Sequence, residues 1–497
     1  MLRCNIAETQ SLQPSVDHGR LVLRWIIVLL LAGCASTSPP LSPSEPAFDR
    51  EFERLFQYGP PEPRPQELQE PSAGQAADAG YFARFPDFDR SYSHAARAEA
   101  RRLIERLRAD AGSINHEQFV LRVAEIVALA DNGHTALHAN AFLKNTPRLP
   151  VRTYLFADGL HVLYADEQNA DLLGARIDTI DGRSVDDVFN ALRRYRGGTE
   201  AFRRMMLIPL LESPAMLQAA GVARERGALT YAGVLADERP FERRIDAQER
   251  DRAAWVSSTA RLLFPDQFAR QGFRSFLAAD ATLPVYLHSP QNLFWTEGLP
   301  GGGYYIGLAH NADADEGPIS AFLGSTLEAV RGDQPAYIVL DMRMNGGGDL
   351  TTTYDFARAL PSAAAGAPIY VLTSRWTFSA AIHATAALEQ AGGDQVTIVG
   401  EPVGDRLDFW AAEGGAFDLP NAFITAYYST GRHKYDGPCR DWETCIWFGS
   451  THPVRVRTLE PDVAAALTFA AYRERRDPAM EAILDREHRS RASARTP

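Results

Sequence analysis

Residues 367–393, APIYVLTSRWTFSAAIHATAALEQAGG, contain a short apolar run, a turn and a helix-forming segment in direct succession. The run predicts a buried strand, and the alanine-rich part predicts a helix that ends at a glycine pair. Ser379 stands where the helix begins. A serine at such a position either caps the helix or is a nucleophile held at the end of a strand.

The chain around this segment repeats the same alternation of strand and helix. Further apolar runs are YYIGLAH at 304–310, AYIVLDM at 336–342 and VTIVG at 396–400. Helical patterns lie between them, in SAFLGSTLEAVRGD at 320–333 and LTTTYDFARALP at 350–361. This spacing predicts βαβ units and a parallel sheet, and the functional groups of such sheets gather at the carboxyl ends of the strands.

Two strand ends have unusual sequences. The strand at 336–342 runs into MNGGGD, in which Gly346 and Gly347 belong to a run of three glycines. Glycines let the backbone approach a bound group, and amides at a helix start favour developing negative charge. Ser379 and these amides together predict a nucleophile with an oxyanion hole, although a tight turn and a helix cap remain the alternatives.

The overall composition is that of a folded protein with a net negative charge. The 497 residues are 45% hydrophobic and 23% charged, and the formal net charge is −12. This length suggests two to four domains. The negative charge argues against a broad nucleic-acid-binding face, and we expect no nucleic-acid partner.

The N-terminus, residues 1–34, is predicted to be a lipoprotein signal. Arg24 precedes an apolar stretch that is too short to span a bilayer, and LAGC resembles the lipobox of bacterial lipoproteins. The resemblance implies lipidation of Cys34, and Ala35 after it favours the outer membrane in the Gram-negative sorting pattern. The alternative is an ordinary cleaved signal with an incidental cysteine.

The rest of the chain divides by composition. Residues 35–79 are rich in Pro, Ser, Glu and Gln and predict a flexible tether. Residues 80–147 predict a helical domain, with helices in 93–112 and 115–133, and 148–245 predict a β-rich unit. Residues 246–482 form the predicted α/β domain, and 483–497 a basic tail. Within the β-rich unit, 172–192 resembles the core of a PDZ domain, and an ordinary strand-turn-helix is the alternative.

Two cysteines remain outside the leader. Cys439 and Cys445 lie in CRDWETC, in a compartment where disulfides persist, and we expect a small loop-closing disulfide. A metal site would need further ligands, and only His433 is near. His433 itself, in GRHKY, is expected on a surface loop.

The stretch from 283 to 482 resembles the C-terminal processing, or tail-specific, peptidase family. The family motif DLRNNPGG matches DMRMNGGG at 341–348, and TASASE matches TFSAAI at 377–382, which places the nucleophile on Ser379. GExTxGK matches GEPVGDR at 400–406. The segments AFDLPNAFITAYYSTGRHKY and LEPDVAAAL resemble further segments of one bacterial subgroup.

One residue departs from this family pattern. Most members use a Ser–Lys dyad, but Arg406 occupies the lysine position, and a guanidinium stays protonated and cannot serve as a base. DNGHT at 131–135 resembles the segment that supplies the catalytic histidine in the tricorn-type branch, which makes His134 the implied base. Gly133 replaces the serine of that branch, and Glu401 is the candidate orienting residue.

His383 is a second histidine that could approach Ser379, because it lies one helical turn further along. The alternative, a partly buried helix histidine, is the preferred interpretation.

The resemblance implies a crotonase/ClpP-like parallel-sheet fold and a lipid-anchored serine peptidase facing the periplasm. Gly347, Gly346 and Ala380 would hold the oxyanion, the substrate would be a peptide or unfolded protein, and no metal or cofactor is implied. Cleavage would follow acyl-enzyme chemistry, and the PDZ-like unit could capture an extended chain by strand addition. The alternatives are an inactive peptidase-like binding protein and an enzyme that acts on a non-peptide ester.

Overall fold

The computed structural model describes residues 64–68, 70–137, 146–249, 259–280, 282–315, 317–411, 415–441 and 443–494. The predicted lipoprotein signal and Cys34 lie outside these residues, as does the predicted tether up to residue 63. All described residues belong to one compact unit.

The chain forms a mixed α/β structure with several sheets. The α-helices are α1 Pro71–Phe82, α2 Phe85–Phe88, α3 His94–Asp110, α4 His116–Ala128, α5 Val185–Leu192, α6 Glu200–Leu211, α7 Pro214–Ala219, α8 Ile319–Asp333, α9 Thr351–Ala363, α10 Ala380–Gly392, α11 Trp447–Thr451, α12 Phe469–Arg473 and α13 Pro478–Ala494. The strands are β1 Ala136–Leu137, β2 Val151–Phe156, β3 Gly159–Asp166, β4 Arg176–Ile180, β5 Arg183–Ser184, β6 Ala228–Val234, β7 Pro240–Asp246, β8 Phe273–Ser275, β9 Phe294–Leu299, β10 Gly303–Leu308, β11 Tyr337–Asp341, β12 Ile369–Thr373, β13 Val396–Gly400, β14 Asp408–Ala411, β15 Gly415–Leu419, β16 Ile424–Tyr428, β17 Gly431–Lys434 and β18 Val463–Ala464.

The six-stranded sheet is the frame of the C-terminal half. Its order is β18-β13-β12-β11-β10-β9, and every pair is parallel except β10 with β9. Apolar residues of α8, α9 and α10 pack on one face, and those of α13 pack on the other. Burial on both faces explains why β11 and β12 are continuous apolar runs. The predicted alternation of strands and helices is confirmed.

A second, antiparallel sheet has the order β2-β3-β4-β6-β7, and β5 and β8 pair at its side. The predicted strand-turn-helix is present as β4, the turn at Asp181 and Gly182, and α5. Ser184 caps α5, because its Oγ accepts the amide of Asp187 at 3.1 Å.

Helices α3 and α4 match the predicted N-terminal helices and begin at capped residues. Asn115 and Gln118 form a reciprocal capping box at the start of α4. The helical region begins earlier than its composition indicates, because residues 71–79 of the predicted tether belong to α1. Ala79 is buried there, and Asp78 accepts hydrogen bonds from Asn421 and Ala422.

Two further features complete the C-terminal half. The predicted disulfide between Cys439 and Cys445 is confirmed, and it closes the small loop between these two residues with an S–S distance of 2.02 Å. Residues 483–494, predicted as part of a basic tail, belong to α13, and Ile483 is buried against the sheet.

A buried polar cluster around Asp89 joins the segment that follows α4 to Ser429, the residue after β16. The carboxylate of Asp89 is fully buried and accepts hydrogen bonds from Thr135 Oγ1 at 2.6 Å, from the Ser429 amide at 2.8 Å and from Ser91. Burial raises the pKa of Asp89, and these hydrogen bonds lower it in part. The cluster anchors the segment 131–135 to the C-terminal half of the chain.

We predict that Asp89→Ala lowers the free energy of unfolding by about 2–4 kcal/mol, because it strands several buried donors. Urea denaturation would measure the loss. Asp87→Ala is the matched control, since the Asp87–Arg101 ion pair is more than half exposed and contributes at most about 1 kcal/mol. Equal effects for the two variants would contradict the assigned role of the cluster.

Candidate active site

The turn between β12 and α10 holds Ser379 in a strained conformation. Ser379 has φ 57° and ψ −124°, which a non-glycine residue rarely adopts, and its side chain makes no capping hydrogen bond. Thr377 secures the turn, because its Oγ1 donates to the Met342 carbonyl at 2.8 Å and accepts the Ser374 amide at 2.9 Å. A capping serine would have extended backbone and a bonded side chain, so Ser379 occupies the N-cap position of α10 but its side chain does not cap the helix.

The first amides of α10 are arranged around Ser379. Those of Ala381 and Ile382 donate back to the carbonyls of Phe378 and Ser379, at 3.1 and 3.0 Å. Among the described residues, no acceptor is found for the amide of Ala380, the first residue of α10. This amide is therefore available at the positive end of the helix dipole, beside the Ser379 side chain.

The glycine loop packs directly on the serine turn. A Cβ at Gly347 would lie 2.5 Å from Ser379 Cβ and 2.9 Å from the Phe378 carbonyl oxygen, and Gly347 has φ 104°. Asn345 joins the two segments, because its carbonyl accepts the Phe378 amide at 3.0 Å. The close contact requires glycine at position 347.

The amides of the glycine loop differ in their availability. The Gly347 amide donates to Asn345 Oδ1 at 2.9 Å, so it already has an acceptor. Asn345 is itself held by Asn311, whose Oδ1 accepts from Asn345 Nδ2 at 2.7 Å. Gly346 is exposed and has open space around its Cα.

His134 packs against the ring of Phe378, the residue before Ser379. Its ring stacks on Phe378 with centroids 4.2 Å apart and on Phe409 with centroids 5.2 Å apart. Its side chain is only 10% exposed, and Nδ1 is 3.7 Å from Oδ2 of the fully buried Asp405. Neither ring nitrogen of His134 nor Asp405 Oδ2 has a hydrogen-bond partner, so His134 is not hydrogen-bonded to Ser379.

Gly133 is explained by the same packing. A Cβ at this position would lie 2.8 Å from the Phe378 ring and 2.9 Å from Asp405 Oδ2. A serine before the histidine, as in the tricorn-type branch, does not fit without movement of Phe378 or Asp405.

A buried arginine balances the charge of Asp405. Arg196 donates to the carbonyls of Gly133 at 2.8 Å and Leu137 at 3.0 Å, which are on both sides of His134. Burial lowers the pKa of Arg196 to about 10, and the Asp405 carboxylate opposes that shift. Arg196 therefore remains a cation at neutral pH.

Glu401, the orienting residue expected from the sequence, lies elsewhere. Its carboxylate is 3.7 Å from Arg375 Nε. The carboxylate beside His134 is Asp405, four residues further along the same GEPVGDR segment. Acidic residues at that matched segment were the signal available in the sequence, but their order alone did not show which one faces the histidine.

His310 is a further residue that the sequence reasoning did not single out. It follows β10 at the carboxyl edge of the sheet, and a Cβ at Gly348 would lie 2.9 Å from its ring. Burial lowers the pKa of His310, and its Nδ1 has no partner. The sequence signal for His310 was its position at the end of the run YYIGLAH, because functional groups of parallel sheets lie at the carboxyl ends of strands.

His383 and His433 belong to a buried aromatic cluster. Nδ1 of each imidazole is 3.1 Å from the hydroxyl of Tyr435, and the His433 ring stacks on Phe409 at 4.8 Å. The surface-loop prediction for His433 is wrong, because β14 and β17 pair and bury this side chain to 4% exposure. Burial lowers the pKa of His383 to about 4 and that of His433 well below its usual value.

Two kinds of feature are absent from the part of the chain that the structure describes. Its His, Cys, Asp and Glu side chains do not come together in any group of three suited to a metal ion. None of its helices is both long enough and apolar enough to cross a bilayer.

No family model and no curated protein matches the sequence. Solved structures do match. Mature CPAF complexed with lactacystin superposes with a TM-score of 0.52 at 11% identity, over 84% of this chain and 98% of that chain. Mature CPAF gives 0.51 at 12% identity, over 84% and 97%. The photosystem II D1 C-terminal processing protease gives 0.33 at 12% identity, over 81% and 94%. At these identities, the likeness to CPAF establishes a shared fold.

We predict that Gly347→Ala is destabilising, because the added methyl would strain the positive φ and collide with Ser379. Gly346→Ala is the matched control for stability, since no atom lies within 4 Å of its Cβ position. Thermal unfolding should show a loss of at least about 1 kcal/mol for Gly347→Ala and less than about 0.5 kcal/mol for Gly346→Ala. Equal melting temperatures would contradict the close contact between the glycine loop and the serine turn.

We also predict that stability falls on acidification. The folded-state pKa of His383 is about 4, below the ordinary value of 6.5, so the unfolded chain binds more protons between these pH values. His383 alone should reduce the free energy of unfolding by about 2 kcal/mol between pH 7 and pH 5. In His383→Asn the free energy of unfolding, measured by urea denaturation at each pH, should fall less steeply between pH 7 and pH 5, whatever the stability of this variant at pH 7. An unchanged slope would contradict the prediction.

Proposed function

We propose that the protein is a serine peptidase with Ser379 as nucleophile and His134 as base. The observation that carries this proposal is the strained, uncapped Ser379 at the start of α10 with the glycine loop packed against it. Backbone strain of this kind persists where surrounding structure enforces it, and it is common at catalytic nucleophiles. The resemblance of the motifs to C-terminal processing peptidases and the fold shared with mature CPAF support the same reaction class.

In the proposed reaction, Ser379 Oγ bonds to the peptide carbonyl carbon as its proton passes to His134 Nε2. The proton then goes to the leaving amine as the C–N bond breaks, and water releases the acyl group by the reverse sequence. The Ala380 amide and an amide of residues 346–348 hold the oxyanion. Asp405 is the orienting carboxylate, because its Oδ2 faces His134 Nδ1.

The proton path requires a movement within the site. His134 has no bond to Ser379 or to Asp405, and catalytic hydrogen bonds often tighten only when substrate binds. The His134 ring is stacked between Phe378 and Phe409, so substrate binding would have to bring His134 Nε2 and Ser379 Oγ together.

We also propose a substrate class and a cellular location for the protein. The substrate is an extended peptide or unfolded protein, which the antiparallel sheet with α5 captures in the manner of a PDZ domain. The α/β half is a crotonase/ClpP-like catalytic domain of the tail-specific type. Lipidation at Cys34 would anchor the protein to the outer membrane, facing the periplasm.

The second candidate is a binding protein on an inactive peptidase scaffold. The unbonded His134 and the 3.7 Å separation from Asp405 are the observations that favour it. Such a protein would keep the fold and bind peptides without cleaving them.

A fluorophosphonate probe on the detergent-solubilised full-length protein tests the first proposal. We predict complete loss of labelling in Ser379→Ala, a loss of about 10²–10⁴-fold in rate in His134→Ala, and a loss of at least about tenfold in Asp405→Asn. His288→Ala is the matched control, since His288 pairs with Glu297 on the exposed surface.

Two results would count against this mechanism. A folded wild type that does not label would favour the binding protein, and full labelling of His134→Ala would exclude His134 as base. Parallel turnover of a peptide library and simple esters would separate a peptidase from an esterase.

A further inference from the structure

Residues 404–406 connect the two halves of the candidate site. The Gly404 amide donates to the Thr377 carbonyl at 2.9 Å, which binds this turn to the segment that carries Ser379. The next two residues, Asp405 and Arg406, face the segment that carries His134. Three consecutive residues therefore contact both the nucleophile turn and the histidine segment.

Arg406 holds the histidine segment by two hydrogen bonds. Its Nη1 donates to the Asp131 carbonyl and its Nη2 to Asp131 Oδ2, each at 2.8 Å. Asp131 lies three residues before His134 and has φ 46°, at the point where the chain leaves α4 and reverses. Arg203 Nη2 contacts the other oxygen, Oδ1, at 3.2 Å.

The same turn directs Asp405 toward the imidazole. Asp405 Oδ1 accepts the amide of Arg406 at 2.9 Å, which leaves Oδ2 to face His134 Nδ1 at 3.7 Å. Because Asp405 and Arg406 are adjacent, the bond to Asp131 fixes where His134 lies relative to the carboxylate.

We infer that Arg406 is a positioning residue for the proposed Ser379–His134 chemistry. It occupies the position that matches the lysine base of the peptidase family that the chain resembles. Here it binds Asp131 instead and so holds the segment that carries His134. A guanidinium suits this role because its fork reaches a carbonyl and a carboxylate together, which a single ammonium does less well.

The contribution of Arg406 to global stability is small. The side chains of Arg406 and Asp131 are 47% and 59% exposed, and exposed ion pairs contribute little to folding. Loss of Arg406 should therefore disturb the site without unfolding the protein.

The inference rests on the proposed function, so its test uses the same labelling reaction of the full-length protein. We expect Arg406→Ala to reduce the labelling rate of Ser379 at least tenfold, and Arg406→Lys to give an intermediate rate. Arg101→Ala is the matched control, because Arg101 of α3 forms a similarly exposed ion pair with Asp87 of α2. Its labelling rate should equal that of the wild type.

A double-mutant cycle separates positioning from a general structural role. If Arg406 acts through His134, Arg406→Ala should have little further effect in the His134→Ala background, whereas a structural defect would reduce both rates equally. Asp131→Ala removes the bond to Oδ2 but keeps the bond from Arg406 Nη1 to the backbone carbonyl, so it should reduce the rate less than Arg406→Ala, and the two losses should not be additive.

The outcomes are distinguishable. A wild type that labels, together with Arg406→Ala at the wild-type rate or with additive losses in the cycle, would overturn the role of Arg406 alone. A wild type that does not label would overturn the proposed function and this inference with it.

Discussion

The contact between Gly347 and Ser379 is the constraint on which the candidate site depends. The glycine loop follows β11 and the serine turn follows β12, and these neighbouring parallel strands deliver both segments to one edge of the sheet. Only a residue without a side chain fits against Ser379 Cβ, and Asn345 ties the segments together through the Phe378 amide. The strained serine backbone persists because sheet, loop and helix enforce it from three sides.

His134 comes from the N-terminal half of the chain and packs against Phe378 of the serine turn. Several further contacts hold its segment in place. The Asp89 cluster anchors the exit of α4 to β16, and Arg196 binds the backbone on both sides of the imidazole. Phe378 links the two halves, because its backbone leads into Ser379 while its ring stacks on His134. The Asp405 carboxylate opposes the lowering of the pKa of Arg196 by burial, so Arg196 stays a cation beside the histidine segment.

Predictions from the sequence succeeded where the pattern was local. The runs at 336–342 and 367–374 are strands because both faces of the sheet are covered, and the helical patterns in 93–112 and 115–133 are present as α3 and α4. The prediction for His433 failed because its polar neighbours gave no sign that β14 and β17 would pair. Asp405 was missed because its contact with His134 joins residues far apart in the chain.

The order of strands and helices, the end of β12 at a serine and the glycines after β11 could all be read from the chain, because hydrophobic periodicity and backbone freedom are properties of neighbouring residues. The choice between a capping and a strained Ser379, the pairing of His134 with Asp405 instead of Glu401, and the binding of Arg406 to Asp131 depended on the folded structure. Those features arise where separate segments meet, and distances between such segments are set by packing and buried charge, which no local pattern encodes.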